Sequence, residues 1–335
     1  MVKDFTEYKE VLEKGVNERK NIEEAVEKIV EKGVENVFLV GCGGSLAVMS
    51  PCKYLLETNS KLPVYEYNAG EFVAIKPKTF SDKSLVILSS YTGTTKETVA
   101  AAKMAREMGA ATIGFAGKAD SPLGQNVDYI FANEAKGGVT DSKLIMLYQI
   151  VFSLMKQVDN FEKYEEVMEA IAKLPENLVG IKHLVEDRAV KFANDFKDAD
   201  FIMTIGAGVL WGETYSYAVC IIEEMQWIQA HPVHAGEFFH GSFEIVTDDS
   251  KLLIFKGEDL TRPLLDRVTD FTAIYNKNAE IIDTKDYPLP GIAEDIRGYM
   301  SPFVISTILE RYSENLAQVR NHPLSTRRYM TKVSY

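Results

Sequence analysis

Cysteine is scarce in this sequence of 335 residues, which contains Cys42, Cys52 and Cys220, none of them in a CxxC pair. An odd number of cysteines without a metal-binding or redox spacing does not fit a disulfide framework, so we expect a reducing cytoplasm. Long apolar runs are also missing, and the first residues, MVKDFTEYKEVLEKG, are too charged for a secretory signal. The sequence therefore predicts a soluble, cytoplasmic protein without a membrane partner.

Positive charge is in deficit as well. The chain carries 37 Lys and Arg against 49 Asp and Glu, a formal net charge of -12. This argues against nucleic acid as a partner, because phosphate backbones need a basic face. Neutral donors and helix ends can still hold a small phosphorylated molecule. The hydrophobic content of 46% suits a globular protein with a full core, and the length suits about two domains.

One stretch combines a strand, a hydroxyl-rich loop and a helix. Residues 85–98 read LVILSSYTGTTKET, and a helix-periodic segment covers residues 96–108. A loop at such a junction points backbone N–H groups and the positive end of a helix dipole at its ligand, so the added hydroxyls favour a phosphate monoester site. The same hydroxyls could instead cap the helix, with Thr94 and Glu97 as a capping box. The two interpretations do not exclude each other.

A second turn of this kind is rich in glycine. An apolar run at residues 37–40 predicts a strand that enters GCGGS, residues 41–45, and a helix at 46–58 follows. This spacing fits neither GxGxxG nor GxxxxGK[ST], so we reject nucleotide binding; a plain tight turn and a sugar or phosphate contact through Ser45 stay as alternatives. Further predicted strands lie at residues 64–67, 85–88, 111–116, 128–132, 201–205, 251–255 and 281–282. Their alternation with helices predicts parallel sheets covered on both faces, with ligands beyond the carboxyl ends of the strands.

The chain also repeats itself. The tetrapeptide AGEF occurs at residues 69–72 and 235–238, each time after a strand, a glycine turn and a helix. This repeat predicts two homologous α/β domains. Between them, a charged and helix-periodic segment contains Pro175, which predicts a break between two linker helices. We place an N-terminal helical segment at 1–30, the domains at 31–158 and 199–321, the helical linker at 159–198, and a C-terminal tail at 322–335.

The second domain has no hydroxyl loop, because the chain after its strand at 251–255 reads KGED. Its candidate chemistry lies in residues 221–244, IIEEMQWIQAHPVHAGEFFHGSFE. Glu223 and Glu224 follow an apolar helical run, where a carboxylate either pairs with a cation or acts as a base. The structural alternative is a glutamate on the helix surface.

Three of the five histidines lie in the same stretch. His240 follows Phe238 and Phe239 in a predicted loop, where an imidazole could transfer protons near neutral pH. The structural alternative is a histidine satisfied by the backbone. A zinc site made from His231, His234 and His240 lacks the HExxH spacing, and we expect no metal.

Taken together, GCGGS, SSYTGTTKET, EEMQWIQAHPVHAGEFFHG and the ending HPLSTRRYMTKVSY resemble the sugar isomerase (SIS) domain family in its tandem, two-domain form. The resemblance covers nearly the whole chain after the N-terminal helical segment. It is greater to fructosamine-6-phosphate deglycases, of the fructoselysine and fructose-asparagine types, than to glucosamine-6-phosphate synthase, which has SQSGET where this chain has SYTGTT.

The resemblance implies an αβα sandwich in each domain and a homodimer or higher homo-oligomer with shared active sites. It implies that Glu224 and His240 are catalytic, with His240 often supplied by the neighbouring subunit, and that the C-terminal tail lies at the active site. The implied substrate-binding residues are Gly43, Ser45, Ser90, Tyr91, Thr92, Thr95 and Lys332.

The activity that the resemblance implies is cleavage of a 6-phosphorylated fructosamine, the Amadori product of an amino acid, to glucose 6-phosphate and free amine. Glu224 would move a proton between C1 and C2, and no metal or organic cofactor is needed because the neighbouring carbonyl acidifies that proton. The alternatives are a phosphosugar aldose-ketose isomerase or amino-sugar phosphate deaminase, and a non-catalytic sugar-phosphate sensor. The sequence does not indicate which amine is released.

Overall fold

The computed structural model describes residues 3–135 and 137–334. The chain divides into two compact units: the N-terminal unit, Asp4–Glu176, and the C-terminal unit, which contains the rest of the described chain. Each unit is built on one parallel β-sheet that is flanked by helices. The prediction of an α/β fold with two parallel sheets is confirmed.

The sheet of the N-terminal unit has the strand order β2-β1-β3-β4-β5, with every neighbouring pair parallel. Strands β1 and β3 are buried at every position, as expected for strands covered on both faces. The chain passes from β1 to one side of the sheet and then returns to β3 on the other, so the strand order reverses between them. The strands are β1 (Asn36–Gly41), β2 (Val64–Asn68), β3 (Ser84–Ser89), β4 (Ala111–Ala116) and β5 (Tyr129–Ala132).

A long helix, α7, is buried along most of its length, because α1, α2 and α4 pack around it. The predicted amphipathic N-terminus therefore forms two helices whose apolar stripes cover α7. Helices α5 and α6 pack together over side chains such as Phe38 and Val86. The helices are α1 (Thr6–Asn17), α2 (Arg19–Glu31), α3 (Gly44–Ala47), α4 (Ser50–Asn59), α5 (Ala69–Ile75), α6 (Lys96–Glu107) and α7 (Val139–Asp159).

The sheet of the C-terminal unit has the order β7-β6-β8-β9 and is also parallel. Its strands are β6 (Phe201–Gly206), β7 (Gln229–His234), β8 (Lys251–Lys256) and β9 (Ala279–Asp283). Strands β2 and β7 are both edge strands, each beside the first strand of its sheet, and AGEF follows each of them. The internal repeat read from the sequence is thus a repeat of topology.

The helices of the C-terminal unit include an unusual one. After α9 (Trp211–Ser216) the backbone is π-helical over Tyr217–Glu223, and α10 (Glu224–Gln226) follows directly. The other helices are α11 (Arg262–Tyr275) and α12 (Glu294–Val319). Among the described residues, no helix combines the length and the apolarity that a bilayer crossing requires.

Two predictions about helix boundaries were wrong. Helix α8 (Tyr164–Phe196) runs through Pro175 without a break, because apolar residues on both sides of the proline, such as Leu174 and Leu178, are fully buried and outweigh its lost hydrogen bond. The division between the two units falls one residue after this proline. The single helix predicted at residues 46–58 is instead the pair α3 and α4, since Pro51 occupies the first turn of α4.

Candidate active site

Both motifs of the N-terminal unit leave the sheet side by side. Gly41, at the end of β1, is paired with Ser89, at the end of β3. GCGGS therefore starts next to the segment 89–95, SSYTGTT, which we call the hydroxyl loop. Ligands of open parallel sheets bind at the carboxyl ends of the strands where the strand order reverses, and this is that position.

The hydroxyl loop has a fixed backbone. Ser90 accepts a hydrogen bond from the N–H of Gly93 at 3.0 Å, and Gly93 in turn accepts one from the N–H of Leu123 at 2.9 Å. The carbonyl of Tyr91 accepts from the N–H of Gly117 at 2.7 Å. These bonds tie the loop to the segment after β4, so its hydroxyl groups and N–H groups are held in place before any ligand arrives.

The interpretation of these hydroxyls as helix caps is contradicted. Thr95 is the N-cap residue of α6, yet its side chain makes no capping hydrogen bond. Its hydroxyl instead lies 2.9 Å from that of Ser90, and the hydroxyls of Thr92 and Thr94 lie 2.8 Å apart. The N–H groups at the start of α6 therefore receive no capping hydrogen bond from Thr95.

The other predicted residues of this unit lie around the same loop. Gly43 is the N-cap of α3 and has φ +53, a conformation that glycine adopts readily. Ser45 is half-buried within the first turn of α3. Tyr91 is 47% exposed, and its hydroxyl donates to the carbonyl of Ala135 at 3.4 Å.

A lysine that the sequence did not single out lies behind the loop. Lys143 of α7 is 8% exposed, and its Nζ donates to Ser89 Oγ at 3.1 Å. Burial lowers the pKa of Lys143 to about 8. Nothing in the sequence distinguishes this lysine from one on the surface of a helix.

The corresponding crevice of the C-terminal unit is filled by the protein itself. It lies at the ends of β6 and β8, where Asp259 Oδ2 accepts from the N–H of Val209 at 2.7 Å. Asp259 Oδ1 accepts from the N–H of Thr261 at 3.0 Å and from its hydroxyl at 2.7 Å. At this strand reversal the Asp259 carboxylate of the acidic KGED sequence thus stands where the N-terminal unit has its hydroxyl loop.

Glu224 lies in an open cleft of about 430 Å³ within the C-terminal unit. Its Oε1 is 2.8 Å from Arg327 Nη2 of the C-terminal tail, with both side chains largely buried. The same stretch of tail contributes Arg328, whose guanidinium carbon lies 4.3 Å from the ring centre of Trp227. Lys332 is exposed and donates from Nζ to the carbonyl of Arg327 at 2.5 Å.

The backbone around Glu224 is special on both sides. The π-helical segment ends immediately before it, and irregular turns of this kind are frequent at functional sites. Three residues later Trp227 has φ +57, a left-handed conformation that is uncommon for a large side chain. The position of Glu224 is therefore set by an unusual backbone as well as by Arg327.

The histidines do not lie together. His240 is exposed at the end of a short 3-10 turn, Phe238–His240, and does not line the Glu224 cleft. His234 accepts a hydrogen bond at Nδ1 from the N–H of Gly236 at 3.1 Å. Among the residues that the structure describes, no group of three His, Cys, Asp or Glu side chains could hold a metal ion.

Comparison with known proteins places these features in a family. Residues 32–155 match the model of the SIS domain. The chain is 40% identical over 309 residues to the fructosamine deglycase FrlB of Bacillus subtilis (strain 168), which covers 91% of this chain and 94% of the relative. This chain belongs to the SIS domain family.

Other SIS-family relatives agree with this assignment. The fructoselysine 6-phosphate deglycase of Escherichia coli (strain K12) is 25% identical over 304 residues, covering 91% of this chain and 88% of that enzyme. A Bacillus subtilis crystal structure described as a phosphosugar isomerase superposes with a TM-score of 0.89 at 38% identity, covering 93% of this chain and 97% of the other. The resemblance to SIS-domain deglycases stated from the sequence is confirmed, and with it the prediction that the chain is an enzyme of this phosphosugar-processing family.

Within the SIS framework, the structure brings the predicted residues together in two groups. Gly43, Ser45 and the hydroxyl loop meet at the strand reversal of the N-terminal unit. Glu224 and the tail meet in the cleft of the C-terminal unit, where Lys332 contacts Arg327 rather than Glu224. Sequence reasoning missed Arg327, although its RRYM motif was part of the family resemblance.

Proposed function

We propose that this protein is a deglycase that cleaves a 6-phosphorylated fructosamine, the Amadori product of an amino acid, to glucose 6-phosphate and free amine. The observation that carries the proposal is the fixed hydroxyl loop at the strand reversal, with uncapped N–H groups of α6 behind it. The names of two full-length relatives, a fructosamine deglycase and a fructoselysine 6-phosphate deglycase, support the same reaction.

In this proposal the phosphate binds to the hydroxyls of Ser90, Thr92 and Thr95 and to the first turn of α6. Gly43 and Ser45 contact the sugar, with Tyr91 and Lys332 as further substrate contacts. Binding the phosphate far from the reacting carbons fixes their position, and orientation of this kind supplies part of the rate enhancement.

Glu224 acts as the base. Its carboxylate removes a proton from C1 of the open-chain ketosamine, and the resulting enaminol is reprotonated at C2 to give an imine at C1. Water then adds to the imine carbon, and the amine leaves as glucose 6-phosphate forms. Arg327 holds the carboxylate in one orientation, and no cofactor takes part.

His240 opens the sugar ring in this proposal. Because it is exposed and does not line the Glu224 cleft of its own chain, we infer that it serves the site of a second copy in a homodimer or higher homo-oligomer. Cys42, Cys52 and Cys220 form no disulfide, which suits the reducing cytoplasm in which we place the reaction.

The test is a panel of phosphorylated fructosyl amino acids, with release of glucose 6-phosphate followed by a coupled dehydrogenase assay. We expect turnover of at least one member, and a loss of about 10²- to 10⁴-fold in kcat for Glu224→Gln with glucose 6-phosphate binding retained. Turnover of fructose 6-phosphate with ammonia, but of no fructosyl amino acid, would favour the deaminase alternative. Full turnover by Glu224→Gln would show that the base is another group.

A further inference from the structure

The hydroxyl loop is built entirely from uncharged groups. Residues 89–95 contain serine, threonine, tyrosine and glycine, and the first turn of α6 adds backbone N–H groups, a partial positive charge and the exposed, oppositely charged side chains of Lys96 and Glu97. A phosphate monoester carries close to two negative charges at neutral pH. Neutral donors leave much of that charge uncompensated, so a formal cation nearby has a clear physical role.

Lys143 is the buried cation next to the hydroxyl loop. Its Nζ donates to Ser89 Oγ at 3.1 Å, and Ser89 immediately precedes Ser90 in the loop. Ser89 is the one hydrogen-bond partner that the described residues give this amine. A lysine that served only to stabilise the fold would be expected to pair with a carboxylate, since buried charges are rarely left unpaired.

A small cavity joins the amine to the loop. It has a volume of about 10 Å³, roughly the space of one water molecule, and its lining includes Lys143, Tyr91 and Asn133. Val139, the first residue of α7, lines it as well, and the N-cap Gly138 provides no side-chain hydrogen bond to that helix end. The cavity thus lies between the buried amine, the loop and a second helix N-terminus.

The surroundings of the amine are neutral. Ser89 of β3 bonds the amine, and Tyr91 of the loop and Asn133 after β5 line the cavity beside it. Asp141, two residues earlier on α7, accepts a hydrogen bond from the hydroxyl of Tyr8 at 2.6 Å. Burial alone accounts for the lowered pKa of Lys143, about 8, so in the free protein the amine loses its proton not far above neutral pH.

We propose that Lys143 is the buried counter-charge of the hydroxyl loop, and that its amine takes up a proton from solvent when a phosphate dianion binds there at alkaline pH. The inference rests on the proposed function and adds a charge requirement to it. The bound phosphate favours the protonated form of Lys143, and by linkage protonated Lys143 favours binding of the phosphate. Affinity for the phosphosugar therefore decreases as the pH rises beyond about 8.

The test is calorimetric titration with glucose 6-phosphate at pH 8.5 in two buffers of different ionisation enthalpy. At this pH the phosphate of glucose 6-phosphate is already a dianion, so the ligand itself takes up no proton. We expect the wild type to take up a measurable fraction of a proton on binding, because a group with a pKa of about 8 is partly deprotonated beforehand. Lys143→Met is expected to show no uptake and to bind about tenfold more weakly at pH 7.5, with the difference shrinking by pH 10.

The matched control is Lys103→Met, which removes an exposed lysine from the middle of α6, beyond its first turn. We expect it to keep the proton uptake and to change affinity less than about twofold, because solvent screens its charge. If the wild type binds glucose 6-phosphate without taking up a proton, the role of Lys143 is overturned and the loop remains the anion site. This outcome does not depend on whether Lys143→Met folds. If the wild type binds no glucose 6-phosphate at all, both proposals fail.

Discussion

Gly93, in the centre of the hydroxyl loop, offers a sharp test of whether the loop conformation matters. It has φ +67, and a Cβ added there would lie 2.3 Å from Ser121 Oγ and 2.4 Å from Ser121 Cβ. The left-handed conformation costs about 1–2 kcal/mol for a residue with a Cβ. Ser121 cannot move away easily because it is buried and its Oγ accepts from the N–H of Gly124 at 3.2 Å, so the overlap adds about 1–3 kcal/mol. We expect Gly93→Ala to lower the free energy of unfolding by about 3 kcal/mol and to weaken glucose 6-phosphate binding about tenfold or more.

The matched control is Gly33→Ala. Gly33 has φ +88, but an added Cβ would meet nothing within 4 Å, so only the backbone cost of about 1–2 kcal/mol applies. Urea unfolding measures both stabilities, and calorimetry measures glucose 6-phosphate affinity, which should stay unchanged in Gly33→Ala. Adding Ser121→Gly to Gly93→Ala should recover the steric part of the loss and leave the backbone part. Equal destabilisation of the two alanine variants, with phosphosugar affinity unaffected in both, would refute this reasoning.

Three further predictions concern the C-terminal unit. Arg327→Met should lower kcat about tenfold with little change in glucose 6-phosphate affinity, because Glu224 loses the partner that orients it; steady-state kinetics with an unchanged kcat and a raised KM would contradict this role. Burial alone raises the pKa of Glu186, but hydrogen bonds led by Arg311 outweigh it and lower the pKa from 4.5 to about 2. The resulting stability is present above about pH 4.5 and is lost towards pH 2. The free energy of unfolding of the wild type should therefore rise between pH 2 and pH 4.5. Glu186→Gln should make this rise smaller by about 1–2 kcal/mol, after allowance for solvent screening. Asp259→Ala should cost about 2–3 kcal/mol in urea unfolding, since it leaves backbone N–H groups unpaired, while a loss of phosphosugar affinity would contradict a purely structural role for this carboxylate.

Most strands could be predicted because a strand buried on both faces has a continuous apolar run, and β1 and β3 have one between their terminal residues. Strand β7 escaped prediction because its sequence, QAHPVH, has no apolar alternation and contains a proline, which an edge strand tolerates. Pro175 led to the opposite error, a predicted helix break that the structure does not have. Its local cost is visible in the sequence, but the apolar packing that holds α8 together across it is not.

Some residues of the candidate site could likewise be predicted from the sequence and others could not. The two loops were visible because glycines and clustered hydroxyls between a strand and a helix have few other uses. Lys143 was hidden because a lysine in a helix normally faces solvent, and only the tertiary structure, which places its amine against Ser89 at the end of β3, buries it. The pairing of Glu224 with Arg327 joins residues far apart in the sequence, and no local pattern reports such a contact.

The π-helical segment Tyr217–Glu223 determines where this helix can change in length. An α-helix turns by about 100° per residue, and a π-turn accommodates one residue more than an α-turn. Deletion of one residue within the segment would therefore let it tighten into an ordinary α-helix while Glu224 keeps its direction, whereas the same deletion in a regular α-helix would rotate every residue after it by about 100°. The wide turn just before this carboxylate is thus the place where a one-residue change of length can be absorbed without turning Glu224 away from Arg327.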